Sequence, residues 1–176
     1  MDQIYGGSED DFIELDAAGN DTFFGDVVGE SFFSGNGNYS LDGGAGHDVL
    51  NGGGGADRLL CNLGVDVLTG WVGRDAYVLT QVSHASASGG AGVIKGFRQG
   101  VDRIDLSAID AKPRGLLNGA FKFPGDQVFS GRAGDVRFTV DGRVTMVEGD
   151  TTSDGAADFA LALTGAYAMT AGDFVL

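Results

Sequence analysis

The stretch GGAGHDVLNGGGGADRLL, residues 43–60, is one nine-residue phrase written twice. Each copy reads Gly-Gly-x-Gly-x-Asp-x-apolar-x, so a carboxylate returns every nine residues in a setting of glycine. The phrase continues forward as CNLGVDVLT (61–69) and GWVGRDAYV (70–78), which keep Gly64 with Asp66 and Gly73 with Asp75. Backward it decays. SGNGNYSLD (34–42) carries Tyr39 at the aspartate position, GDVVGESFF (25–33) offers Glu30, and DAAGNDTFF (16–24) restores Gly19 and Asp21. GGSEDDFIE (6–14) fits only with one residue inserted. The strict array therefore spans 43–78. A flexible glycine-rich linker is excluded because the eighth position stays apolar throughout: Phe23, Phe32, Leu41, Leu50, Leu59, Leu68 and Tyr77.

An x-apolar-x piece is a minimal strand with its middle side chain turned to one face. The six residues before it form a turn in which glycine permits positive φ and close backbone approach. Two phrases, eighteen residues, make one coil of a parallel β-roll, with loops stacked along both edges. Such short strands bury too little to offset their ordering entropy, and stacked carboxylates repel. A cation between the loops resolves both problems. Carboxylate and carbonyl oxygens are hard ligands that suit Ca²⁺. The candidate calcium positions are Gly43, Gly44, Gly46 and Asp48; Gly52, Gly53, Gly55 and Asp57; Asn62, Gly64 and Asp66; and Gly70, Gly73 and Asp75. Loops on one edge lie eighteen residues apart, so Asp48 should face the Asp66 loop and Asp57 the Asp75 loop, on opposite edges. Asp21 and Glu30 mark weaker, earlier sites. Asp26 occupies a second position, where no carboxylate ligand is expected.

Composition sets the outer bounds. The chain has 176 residues, 32 glycines, and 25 Asp plus Glu against 11 Lys plus Arg, for a net charge of −14. That surface repels nucleic acid and anionic membranes and attracts cations. The single cysteine, Cys61, allows no internal disulfide, and no apolar run reaches transmembrane length. The acidic N-terminus shows no signal-peptide core, so either the protein stays in the cytosol or its export signal lies elsewhere.

The GGxGxDxUx phrase is the signature of the RTX (repeats-in-toxin) family, which this chain resembles. The segments GVIKGFRQGVDRIDLSAIDA (92–111), GRAGDVRFTVDGRVTMVEGDTTSDGAADFALALTG (131–165) and the terminal DFVL are similar to the C-terminal domain of serralysin-type metalloproteases. A more distant likeness is to the R-modules of alginate C-5 epimerases. The resemblance implies an all-β fold: a roll over 1–80, then a mostly antiparallel, β-sandwich-like cap over 81–176. It also implies folding on several extracellular Ca²⁺ ions, and secretion by a type I ABC transporter that reads the C-terminus. Asp173-Phe174-Val175-Leu176 fits such a signal. A further calcium site would use Asp102, although Gly96 stands where the family often has an acidic residue. The protease motif HExxH is absent; the only histidines are His47 and His84. The expected protein is thus a non-enzymatic, calcium-binding module, the C-terminal part of a larger secreted protein. The alternatives are a polysaccharide-binding module and a fragment of a secreted metalloprotease.

In the second half, VIKGF, DRIDL and ADFALAL read as strands and SAIDA as one helical turn behind a serine cap. VRFTV and RVTMV form a hairpin around Asp141-Gly142. Phe121, Phe123, Phe129, Phe138 and Phe159 are expected in its core, and LTQVSHASASGGAG reads as a Ser/Gly-rich crossing. DTTSDGAAD (150–158) approximates an acidic cation loop, with Asp150, Asp154 and Asp158 around Gly155, and a plain polar turn is the favoured reading over a calcium site. Trp71 reads as a cap on the roll, and Cys61 as an inert small residue.

Overall fold

A computed structural model describes residues 3–6, 12–14, 21–25, 29–85, 90–112 and 119–176. Gly19, Asp26 and most of the loop before Asp21 lie outside them. In chain order the strands of the repeat region are β1 (Gln3–Tyr5), β2 (Phe12–Glu14), β3 (Thr22–Phe24), β4 (Ser31–Phe33), β5 (Ser40–Asp42) and β6 (Val49–Asn51). They continue as β7 (Gly54–Gly55), β8 (Arg58–Cys61), β9 (Val67–Thr69), β10 (Val72–Gly73) and β11 (Ala76–Leu79). Beyond them lie β12 (Gly92–Lys95), β13 (Arg103–Asp105), β14 (Lys122–Gly125), β15 (Asp135–Asp141), β16 (Val144–Asp150), β17 (Phe159–Thr164) and β18 (Phe174–Val175).

Successive phrases feed alternate sheets. One sheet has the order β1-β3-β5-β8-β11-β13-β18, the other β14-β15-β16-β17-β12-β9-β6-β4-β2. Within the roll every pairing is parallel and in phase with the repeat: Leu41 opposite Leu59, Leu59 opposite Tyr77, Phe32 opposite Leu50, Leu50 opposite Leu68. The eighth-position side chains form the inward ladder, none more than 1% exposed from Phe23 to Tyr77. Each such burial is worth about 1.5–3 kcal/mol, enough to hold a three-residue strand only when both neighbours are in place.

Both sheets run on past the repeats, because β12 pairs with β9 and β13 with β11, each in parallel. The antiparallel part is the meander of β15, β16 and β17, whose last strand pairs in parallel with β12. Phe159 is fully buried there and meets Phe121 edge-on at 5.7 Å. Phe123 stacks on Phe138, while Phe129 lies only half-buried beneath the Arg137 guanidinium, 4.4 Å from its ring centre, rather than inside the core. Three local readings shift. Asp141 stays in the ladder opposite Val144, so the hairpin turn is Gly142-Arg143, with the glycine in the first turn position at φ +59°. SAIDA forms no helix: Asp105 accepts the Ser107 amide at 3.0 Å and hydroxyl at 2.6 Å, so the aspartate two residues earlier organises the turn. The start of the Ser/Gly crossing is ordered, with Val82–Ala85 in a 3₁₀ turn that buries His84 beside Thr80.

Stacking imposes the fourth-position glycine. Gly55 and Gly64 adopt φ +133° and +137°, and a Cβ on either would run into the carbonyl of Gly37 or Gly46 one coil earlier. Gly64→Ala is therefore expected to lower stability by about 3 kcal/mol or more. Gly172→Ala, which meets only ordinary contact with Thr170, should stay within about 0.5 kcal/mol of wild type. Urea unfolding in calcium buffer measures both; equal midpoints would contradict the close-approach account.

Candidate metal centre

The sixth-position carboxylates do not hang free in their loops. Each reaches one coil back and accepts the backbone amide of its counterpart through Oδ1: Asp48 from Glu30 (2.8 Å), Asp57 from Tyr39 (2.9 Å), Asp66 from Asp48 (3.2 Å) and Asp75 from Asp57 (3.1 Å). The series runs along both edges and ends, on the second, with Asp102 accepting the Asp75 amide at 3.2 Å. The expected pairings, Asp48 with Asp66 and Asp57 with Asp75, are adjacent as the eighteen-residue period requires.

The second oxygen is left over. Oδ2 of Asp48, Asp57, Asp66 and Asp75 is buried and accepts no hydrogen bond, and all four residues are at most 2% exposed. An unsatisfied buried charge is among the costliest features a fold can carry. The first-position glycines hold the space for it, since a Cβ on Gly43, Gly52 or Gly70 would overlap Oδ2 of Asp48, Asp57 or Asp75. Gly44 and Gly53, with φ +81° and +78°, turn the chain behind them. Their amides are held by Asp42 and Asn51, ninth-position acceptors that the repeat reading passed over. Gly46, Gly55, Gly64 and Gly73 form the close backbone stack, joined on one edge by the β7–β10 pair. An orphaned carboxylate oxygen beside glycine backbone fits a hard cation. Among the described residues no three His, Cys, Asp or Glu side chains converge, so each loop offers one carboxylate and backbone oxygens must supply the rest.

Other expected positions divide. Asn62 donates its side-chain amide to Asp42 Oδ1, the ninth-position carboxylate beside it on the neighbouring strand. Asp21 is buried and its carbonyl accepts the Ser40 amide. Tyr39 is drawn into the apolar interior, 6.2 Å from the Phe23 ring. Its neighbour Asn38 accepts the Ala56 amide at 2.6 Å, as His47 accepts that of Val65 at 2.9 Å. Cys61 is buried, and burial pushes its thiol well above the ordinary range. The 150–158 loop closes on itself. Asp150 accepts the amides of Thr152, Ser153 and Gly155, and Asp158 the Thr151 amide and hydroxyl. Trp71 is 58% exposed at φ +67°, and so flanks its edge without covering the roll.

Against this geometry, the model of the family "Peptidase M10 serralysin C terminal" matches residues 1–176. The chain belongs to that family. Two solved structures share the fold: the AlgE6R3 and AlgE6R2 subunits from the Azotobacter vinelandii mannuronan C5-epimerase. AlgE6R3 is 25% identical with a TM-score of 0.52, over 92% of this chain and 80% of that one. AlgE6R2 is 22% identical with a TM-score of 0.50, over 92% of each. No curated protein sequence matches the chain. A serralysin's C-terminal part is its non-catalytic part, and the β-roll is the architecture shared with the epimerase subunits.

Electrostatics sets the metal-free behaviour of this serralysin C-terminal domain. Burial pushes Asp48 and Asp57 up to about 7, against the lowering effect of the Glu30 and Tyr39 amides and with help from neighbouring carboxylates. Asp66 and Asp75 are raised as well, burial again first. In the unfolded chain these groups titrate near 3.8, so between about pH 4 and 7 the metal-free fold binds more protons than the unfolded chain. Its stability then rises as pH falls through that window and is lost as pH climbs. In chelator, the β signal in far-UV circular dichroism should therefore grow from pH 7.5 to pH 5. Asp57→Asn should be more folded than wild type in chelator at pH 7.5, yet respond less to calcium. A metal-free β signal that weakens between pH 7.5 and pH 5 would contradict this assignment.

Proposed function

We propose that the chain is a non-enzymatic, calcium-binding RTX module that folds outside the cell and carries a type I secretion signal at its C-terminus. The carrying observation is the set of four buried carboxylate oxygens without a hydrogen-bond donor, on Asp48, Asp57, Asp66 and Asp75. Calcium would be held by these oxygens with loop carbonyls, and would supply the positive charge that lets carboxylates stack. At cytosolic calcium the acidic roll, segment 1–80, stays unfolded and can thread a transporter. Extracellular calcium binds the folded form and draws the equilibrium toward it.

The terminal DFVL is consistent with a signal read before folding. Asp173 is 1% exposed, accepting the Gly100 amide at 2.9 Å and the Thr170 amide at 2.8 Å, and Phe174 pairs with Ile104 as the last strand of its sheet. In the folded cap, 81–176, the transporter would find that segment built into the sheet.

A second reading, binding of an extracellular polysaccharide, is favoured by one feature. Trp71 holds a bulky side chain in the left-handed region, at a cost of about 1–2 kcal/mol, exposed beside Val72, Asn36 and Asn51. Retention on immobilised alginate in calcium, lost in Trp71→Ala, would support it; equal retention of both proteins would not.

The main reading predicts a largely disordered chain in EGTA that becomes β-rich at roughly 10⁻⁴ to 10⁻³ M calcium, with magnesium a poor substitute. Asp57→Ala and Asp66→Ala should shift the circular dichroism midpoint upward by about tenfold, whereas the exposed hairpin substitution Asp141→Ala should leave it in place. Identical β spectra in EGTA and calcium would overturn the proposal.

A further inference from the structure

The β13 coil breaks the pattern in one respect. Between the 70–75 loop and the 97–102 loop stand the same groups as in the preceding gap of that edge: a fourth-position carbonyl (Gly73), the Asp75 carboxylate, and the next coil's aspartate, Asp102, on the Asp75 amide. Here, however, a cation is already present. Arg98 Nη2 donates to the Gly73 carbonyl and to Asp102 Oδ1 (3.0 Å), and lies 3.6 Å from Asp75 Oδ2. One nitrogen thus touches oxygens from both coils, drawn from a loop carbonyl and two carboxylates. One gap earlier the corresponding groups are the Gly55 carbonyl and the Asp57 and Asp75 carboxylates. Among the described residues no lysine or arginine forms an ion pair with Asp48, Asp57 or Asp66.

We propose that Arg98 is a tethered cation occupying the last inter-loop position of this edge, so that this gap takes no calcium and the metal array ends there. The inference rests on the calcium reading of the repeats. Asp102 is adapted to the arrangement: its Oδ2 accepts the Arg98 amide at 2.7 Å, so neither oxygen is left over, unlike those of the aspartates before it. The loop that carries Arg98 is fixed without metal. Phe97 packs between Tyr77 (6.1 Å) and Tyr167 (5.6 Å), and the Gly100 amide is held by Asp173. A guanidinium is planar, always charged and able to bond several oxygens at once, so it can replace an ion whose ligands are a carbonyl and carboxylates.

The test counts calcium ions bound by the whole chain, by native mass spectrometry with isothermal titration as a cross-check. Arg98→Ala should bind one ion more than wild type, and Arg98→Lys, which keeps the charge, the wild-type number. Asp102→Asn should also keep the wild-type number, because it removes a carboxylate from a gap that holds no metal. That arm decides the matter even if Arg98→Ala does not fold. An unchanged ion count in a folded Arg98→Ala, or one ion fewer in Asp102→Asn, would overturn the proposal. A wild-type chain that binds no calcium would instead overturn the calcium reading beneath it, and Arg98 as a stand-in with it.

Discussion

The structure depends on one divided carboxylate. In each strict phrase, Oδ1 of the aspartate ties its loop to the amide of the coil before, while Oδ2 is buried without a hydrogen bond. The first oxygen sets the register of the stack. The second makes that stack unfavourable unless a proton or a cation joins it. A device built this way links folding to the ionic composition of its surroundings, and apolar burial alone cannot decide the outcome. Each strand contributes one fully buried side chain, and its neighbours must be in place for that side chain to count.

The glycines serve this carboxylate more than they serve flexibility. First-position glycines leave room for Oδ2, and fourth-position glycines allow successive loops to approach until carbonyl faces Cα. Where the pattern is relaxed, other polar contacts take over. Tyr39 leaves the edge for the core, and its neighbour Asn38 carries the inter-coil contact by accepting the Ala56 amide. Cys61, at a first position, likewise turns inward and becomes part of the apolar ladder.

Much of this was legible in the sequence because the period is strict. A fixed nine-residue spacing with an apolar eighth position dictates alternate sheets, an eighteen-residue coil and the partner of each aspartate, and the strand register follows it. What was not legible depends on contacts far apart in the chain. Nothing in the sequence around Arg98 marks it, and only the stacking of loops 70–75 and 97–102 brings it onto Gly73 and Asp75. Asn62 sits at a glycine position inside a strict phrase, but its partner, Asp42, belongs to the previous coil's strand. The hairpin turn slipped by one residue because Asp141-Gly142 and Gly142-Arg143 are both acceptable locally, and the ladder with Val144 chooses. Phe129 read as core from its residue type, yet it lies half-buried, with Arg137 over one face.

The central claim is that, without a cation, the roll is held open by its own buried carboxylates. Residue-resolved amide hydrogen exchange, with and without calcium at pH 7.5, tests this most directly. The account predicts that the amides of Arg58, Val67 and Ala76, which join coil to coil, are protected only when calcium is present. Equal protection of the three roll amides in both conditions would contradict it.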